Sequence, residues 1–208
     1  MNEYHKIQSI YKRDERGNML FGEYSLPEFD YLKDNYWVFT EKVDGTNIRL
    51  LWRNGELEIR GKTDRAQIYA PLISAITHLI DKAKMAELFP FDACLYGEGY
   101  GAKIQKGGER YLPDGVSFVL FDVNVNGIWL ERENVADIAQ RLSIQIAPII
   151  GGGPLGDMVE CVREGFKSRW GDFVAEGIVA RPRVELVGRR GNRIITKIKH
   201  KDFKGVEK

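Results

Sequence analysis

The residues of this 208-residue chain best suited to chemistry are a lysine set before Asp-Gly, two carboxylates that each neighbour glycine, and a Lys-x-Lys pair near the C-terminal end. Lys42 stands in Glu41-Lys42-Val43-Asp44-Gly45-Thr46-Asn47. Downstream come Arg60-Gly61-Lys62, then Tyr96-Gly97-Glu98-Gly99-Tyr100-Gly101, then Phe118-Val119-Leu120-Phe121-Asp122. Ala175-Glu176-Gly177-Ile178-Val179-Ala180 and Lys197-Ile198-Lys199 close the series. An amine attacks phosphorus only when unprotonated, and a lysine near its free pKa of about 10.4 is almost wholly protonated at neutral pH. Neighbouring positive charge disfavours the ammonium form, so Lys197 and Lys199 on one strand face, with a metal ion, would make Lys42 a nucleophile. The same charges would stabilise the oxygens of a phosphoryl group in transfer. Glu176 offers the hard oxygen that Mg²⁺ prefers, and the Phe121 ring suits stacking on a base.

Taken singly, each residue has a plainer reading. Lys-x-Asp-Gly could be an exposed turn. Phe121 in an apolar strand could be core, and Lys197 and Lys199 a solvated strand face. Glu98 and Glu176 could be ordinary strand-end carboxylates. The glycines around Glu98 are no dinucleotide fingerprint, because no apolar helix follows them. We read them as letting the backbone approach a ligand that Glu98 reaches.

Alternation and turn chemistry supply the elements that hold these residues. Residues 36–52 read as two strands around a tight loop. Asn54-Gly55 then closes a hairpin onto 56–62, and Asn126-Gly127 closes a second one after 116–125, since Asn-Gly suits a type I′ turn. Ile68, Leu72, Ile76, Leu79, Ile80 and Leu88 form one stripe at helical spacing, which predicts a helix over 67–89. Shorter helices are expected at about 132–143 and 155–168, on either side of a Gly151-Gly152-Gly153-Pro154 breaker. In the final strand, 193–199, Ile198 would face the core and Lys197 and Lys199 the other side. The mixture points to an α+β protein rich in antiparallel sheet.

A composition 43% hydrophobic and 29% charged suits a globular protein and argues against disorder. Apolar runs are too short for a membrane span, and the first seventeen residues lack a signal peptide's apolar stretch. Cys94 and Cys161 stand far apart without metal-ligand spacing, as expected of reduced thiols in a cytoplasmic protein. The formal charge of +1 hides an asymmetry: residues 181–208 hold ten Lys/Arg against three Asp/Glu, a net +7, and the remainder carries −6. A basic terminal segment on an acidic body suggests contact with phosphates.

This ordered set, spanning about Trp37 to Phe203, resembles the motifs shared by ATP-dependent ligases and mRNA capping enzymes, the covalent nucleotidyltransferases. Glu-Lys-Val-Asp-Gly-Thr-Asn and the run Gly-Ala-Lys-Ile-Gln-Lys-Gly-Gly at 101–108 look most like the RNA ligase 2-like family, which seals nicks in duplex RNA. The resemblance implies an ATP-grasp-like nucleotidyltransferase (adenylation) domain, of antiparallel sheets flanked by helices, filling residues 1–208. It implies that Lys42 attacks the α-phosphorus of ATP to form a lysyl-AMP phosphoamide. Glu41 and the Val43 backbone would read the adenine edge while Phe121 stacks on its face. Arg60 and Glu98 would hold the ribose and adjoining phosphate, with Asn47 at phosphate or the nucleic acid end. Glu176 would hold Mg²⁺ (or Mn²⁺), and Lys197 and Lys199 would grip the α-phosphate. The implied partners are ATP and nucleic acid, either nicked duplex RNA or an RNA–DNA hybrid, with no membrane; a protein partner is not required.

The sequence also departs from the pattern. No Arg-x-Asp-Lys segment appears, and no oligonucleotide-binding domain is expected after Lys199. The +7 segment and the loop carrying Lys103, Lys106 and Arg110 are candidate substitutes as a phosphate-binding surface. Three readings remain at this point. They are an ATP-dependent ligase acting on RNA, a hybrid or DNA; a capping-type guanylyltransferase, disfavoured by Glu41 and Gln-Lys-Gly-Gly; and an end-binding module without catalysis.

Overall fold

The computed structural model describes residues 3–204. In chain order the strands and helices begin with β1 (Gln8–Ser9), β2 (Tyr11–Arg13), β3 (Met19–Tyr24), α1 (Pro27–Tyr31), β4 (Trp37–Glu41), β5 (Thr46–Arg53) and β6 (Glu56–Gly61). There follow α2 (Ala70–Leu79), α3 (Lys82–Leu88), β7 (Ala93–Gly101), β8 (Val116–Val125), β9 (Ile128–Trp129), α4 (Arg132–Leu142) and β10 (Gln145–Ile146). Last come β11 (Ile149–Gly153), α5 (Leu155–Glu164), β12 (Gly177–Pro182) and β13 (Thr196–Lys199). This is the α+β architecture of antiparallel sheets and flanking helices expected from the sequence. Among the described residues no helix is long and apolar enough to cross a membrane.

The chain forms two compact units, one comprising residues up to His5 with Asp44–Ala147, the other Lys6–Val43 with the chain from Pro148 onward. The 44–147 unit is a sheet in the order β10-β8-β7-β5-β6, with β9 paired to β8. Ile48, Leu50 and Trp52 of β5, Leu95 of β7 and Phe118, Leu120 and Val123 of β8 pack with Leu72 and Ile76 of α2, Met85 of α3 and Ile138 of α4. One sheet face is thus covered by helices, and alternate residues of each strand point to the other face. Both Asn-Gly turns form as expected, with positive φ at Asn54, Gly55, Asn126 and Gly127.

The other unit holds the sheet β1-β13-β12-β4-β11 and the separate β2–β3 pair. Trp37 and Phe39 of β4, Ile178 and Ala180 of β12 and Ile198 of β13 meet Leu155, Met158, Val159 and Val162 of α5. Ile198 is fully buried while Lys197 and Lys199 are half-buried on the opposite face, as the alternation predicts.

Three local expectations change. The single helix over 67–89 is two helices, because the Asp81 carboxylate accepts from Ala83 N at 2.8 Å and Lys84 N at 3.3 Å and starts α3 afresh. The run Gly151-Gly152-Gly153 is not a breaker but part of edge strand β11, paired with β4. The following helix stops at Glu164, with Gly165 at φ +80° as its end.

Candidate active site

The residues singled out by the sequence divide between the units. In the unit of β4, β12 and β13, Lys42 follows the last residue of β4 and donates its backbone N–H to Gly177 O at 2.9 Å. Glu176 directly precedes β12, and its carbonyl accepts from His200 N at 2.9 Å, just past β13. Register therefore gathers three strand ends, since Glu41 pairs with Ile178 and Gly177 with Lys199. Lys42 Nζ donates to Glu176 Oε2 at 2.6 Å, and Lys199 Nζ lies 2.7 Å from Glu176 Oε1. The carboxylate bridges two ammonium groups, with side chains 13–24% exposed, so the cluster is sheltered yet reachable. Lys197 lies on the same strand face one pleat away, opposite Val179. Gly177 has a steric reason: a Cβ there would stand 2.1 Å from Ile198 O and part β12 from β13.

Glu41 is only 2% exposed, and its carboxylate is already engaged. Ser168 Oγ donates to Oε1 at 2.5 Å and Arg169 N to Oε2 at 2.8 Å. Burial raises the Glu41 carboxyl above its ordinary range, and the Ser168 and Arg169 hydrogen bonds pull against that rise. Ser168 and Arg169 also line a cavity of about 410 Å³ with Ile150, Cys161, Phe166 and Lys167. The partners of Glu41 are thus reachable from solvent. Val43, next to Lys42, is buried.

In the 44–147 unit, Asn47, Arg60, Glu98 and Phe121 all stand on the sheet face away from the helices. Asn47 and Glu98 are direct cross-strand partners on β5 and β7. The Asn47 Oδ1 is buried and accepts no hydrogen bond among the described residues. Arg60 on β6 is held by Glu58, whose Oε1 accepts from Nε at 2.8 Å and also from the terminal guanidinium nitrogen. Phe121 is the extra residue of a β-bulge: Tyr96 pairs with Asp122 and Gly97 with Leu120, and Phe121 stands between these two pairs. It is half-buried between buried neighbours on either side, and its ring meets Tyr4 edge-on at 5.1 Å. Tyr4 is anchored by its hydroxyl, which donates to Asp122 Oδ2 at 2.5 Å.

The glycines around Glu98 have a different role from the one expected. A Cβ on Gly97 would stand 2.3 Å from the Phe118 ring, and one on Gly99 2.4 Å from Leu72 of α2. Both therefore face the packed core, where they admit Phe118 and α2, and only Glu98 between them faces outward. Gly45 is the position that needs close approach: its Cβ would lie 2.2 Å from Gly99 O and 2.9 Å from Glu98 Cγ. Two further residues brace this turn, Gln105 Nε2 donating to Gly45 O at 3.1 Å and Tyr111 Oη accepting from Asp44 N at 3.2 Å. Gln105 belongs to the 101–108 run, whereas Tyr4, Tyr111 and Ser168 carried no motif signal.

Among the described residues no three His, Cys, Asp or Glu side chains converge as a metal cage. A single carboxylate such as Glu176 still suits Mg²⁺, which keeps most of its waters and shares its remaining contacts with phosphates.

Comparison with solved structures gives the same fold. A Naegleria gruberi RNA ligase with pyrophosphate matches at a TM-score of 0.66 and 17% identity, over 83% of this chain and 52% of that one. A mutant of that ligase with ATP and Mn matches at 0.66 and 19%, over 85% and 54%. An apo mutant matches at 0.66 and 19%, over 96% and 57%. The chain thus spans just over half the length of these relatives. No curated protein matches its sequence. The fold is that of the matched part of these ligases, and the sequence profile of the RNA ligase family matches residues 35–199. The chain belongs to the RNA ligase family.

Proposed function

We propose that the chain is the adenylylating nucleotidyltransferase domain of an ATP-dependent RNA ligase, with Lys42 as its nucleophile. The observation that carries this reading is the Glu176 carboxylate between Lys42 and Lys199, at 2.6 and 2.7 Å, in a chain of that family. Three charged side chains from separate segments are held at strand ends, where the oxygens of a triphosphate can replace the carboxylate as partner to both ammonium groups. ATP and Mn in related ligase structures support the choice of nucleotide and of a divalent ion, Mg²⁺ or Mn²⁺.

In this reading Lys42 Nζ, having lost its proton, attacks the α-phosphorus of ATP. An N–P bond forms as the bond to the β-phosphate oxygen breaks, and pyrophosphate leaves. A 5′-phosphate oxygen of the RNA then attacks the same phosphorus, which frees Lys42 and leaves an adenylylated end. The 3′-hydroxyl attacks the 5′-phosphorus, AMP departs and the phosphodiester is closed. Lys199 and Lys197 stabilise the α-phosphate oxygens, and Glu176 would hold the divalent ion, whose charge would neutralise the phosphates. Phe121 stacks on the adenine, and Arg60, Glu98 and Asn47 serve the ribose and the phosphates beside it. The Val43 backbone reads the adenine edge. Glu41 is held for that task by Ser168 and Arg169. The substrate class is nicked duplex RNA or an RNA–DNA hybrid, and residues 1–208 supply the nucleotidyltransferase domain.

The test is the intact mass after removal of pyrophosphate and incubation with ATP and Mg²⁺. One AMP gained with ATP and not with GTP, and lost in Lys42→Ala, is expected. A gain that survives Lys42→Ala, or none with ATP, overturns the assignment.

A further inference from the structure

Strands β12 and β13 are antiparallel neighbours, paired from Gly177–Lys199 to Ala180–Thr196. Two to five residues suffice to join such a pair. Here residues 183–195 intervene between Pro182 and Thr196, and they are not slack. Ile194 N donates to Leu186 O at 2.9 Å, Gly188 N to Asn192 O at 2.7 Å and Gly191 N to Gly188 O at 2.8 Å, which makes a second hairpin. Its tip is Gly188-Arg189-Arg190-Gly191, with Gly191 at φ +76°.

Buried charge holds this hairpin together and links it to β12. Arg193, 6% exposed, grips Glu185 through Nε at 2.9 Å and a terminal nitrogen at 2.6 Å, and Arg181 approaches the same carboxylate at 3.5 Å. A mere connection has no need of such bracing, because desolvating three charged groups is costly. The braced segment presents Arg183, Arg189 and Arg190 to solvent, and none of them forms an ion pair among the described residues. Residues 181–193 hold five arginines, no lysine and a single acid, Glu185. The guanidinium fork matches a phosphate in two-point contact as a lysine ammonium cannot. A further carboxylate comes close, Glu28 Oε1 lying 3.4 Å from where a Cβ on Gly188 would stand. That carboxylate stands beside the first residue of the tip and forms no ion pair with its arginines among the described residues.

We propose that residues 183–193 form an arginine-tipped arm that grips the phosphodiester backbone of a nucleic acid duplex several nucleotides from the joint being sealed. The proposal rests on the ligase reading for what is joined and on the hairpin itself for where the duplex is held. Because β12 starts beside Glu176 and ends at Pro182, the arm is one strand length from the Lys42–Glu176–Lys199 cluster, about 17–20 Å at 3.3 Å per residue. With one phosphate per about 3.4 Å of axis on each strand, this is roughly five nucleotides.

The experiment compares wild type with Arg189→Ala/Arg190→Ala, both exposed positions. It measures AMP gain by intact mass and the binding of fluorescein-labelled nicked duplex RNA by anisotropy over a KCl series. The variant should take up AMP like wild type, bind the long duplex about tenfold more weakly, and lose between one and two from its log–log salt slope. On a duplex ending within about five base pairs of the nick the two proteins should bind alike. An unchanged affinity and slope on the long duplex overturns the arm, and so does a variant that no longer takes up AMP. Equal weakening on short and long duplexes overturns its remote position. If wild type itself gains no AMP, the ligase reading fails while the binding series still decides whether the arm holds nucleic acid.

Discussion

The unit built on β4, β12 and β13 and the unit of residues 44–147 present their polar residues in opposite ways. The first concentrates charge at strand ends: Lys42, Glu176 and Lys199 come from three segments and meet within 2.7 Å. The second spreads Asn47, Arg60, Glu98 and Phe121 over one face of a sheet, each on its own strand, with Phe121 set there by its bulge. Residues at strand ends can exchange partners, as an amine must when it leaves its carboxylate to form a covalent bond. Residues on a packed sheet face keep their positions, which suits recognition of a ring and a sugar. On the proposed reading, nucleophile and nucleotide platform make separate demands on the backbone.

The comparison is broken most directly at Lys42. Lys42→Ala should abolish AMP uptake, a loss of at least about 10³-fold, measured as the rate of mass gain; retained uptake would place the nucleophile elsewhere. Next in size is Glu176→Gln, which keeps the shape of the bridge and removes its charge. A fall on the order of 10²-fold in AMP uptake is expected, together with a lower Tm, because two sheltered ammonium groups lose the charge they share. An unchanged rate would reduce Glu176 to a structural partner.

Gly45→Ala tests the packing of the turn after Lys42 against β7. With a Cβ 2.2 Å from Gly99 O, it should lower Tm by roughly 5 °C or more and slow AMP uptake together. A stable, fully active variant would contradict that contact. On the platform, Phe121→Ala should raise the KM for ATP about tenfold, since stacking contributes about 1–3 kcal/mol per base, while kcat changes less. A fall in kcat alone would assign Phe121 to the chemistry.

Ser168→Ala has the smallest effect and a pH signature. The folded-state pKa of Glu41 is raised, so the native chain holds that proton more tightly than the unfolded chain does. The group therefore favours folding in acid, and that advantage is lost as pH rises past its ordinary 4.5 and through the folded value. Without the Ser168 hydrogen bond, which lowers the pKa, the loss extends to higher pH. Thermal melts should show a deficit of about 1 kcal/mol at pH 7 that shrinks towards pH 4. A deficit independent of pH would remove Glu41 from the explanation.

By itself the sequence determined the local features. Asn-Gly specified both type I′ turns, because positive φ is a property of those two residues in their own backbone. Alternation in the last strand put Ile198 inside and Lys197 and Lys199 outside, because side chains of a strand have a period of two. The order of motifs from Glu41 to Lys199 marked the family, since few residue types serve a lysine nucleophile with phosphate and metal partners. Only the tertiary structure decided the rest. The apolar stripe of 67–89 runs unbroken past Asp81, so periodicity could not reveal that its carboxylate caps a new helix. The bulge at Phe121 exists only in the pairing of β8 with β7. The roles of Gly97 and Gly99 depend on Phe118 and Leu72, which lie far along the chain. Ser168 and Tyr4 reach their carboxylates across 127 and 118 residues. Such contacts leave no periodic trace, because the spacing between their residues is set by the path of the whole chain rather than by the geometry of any one element.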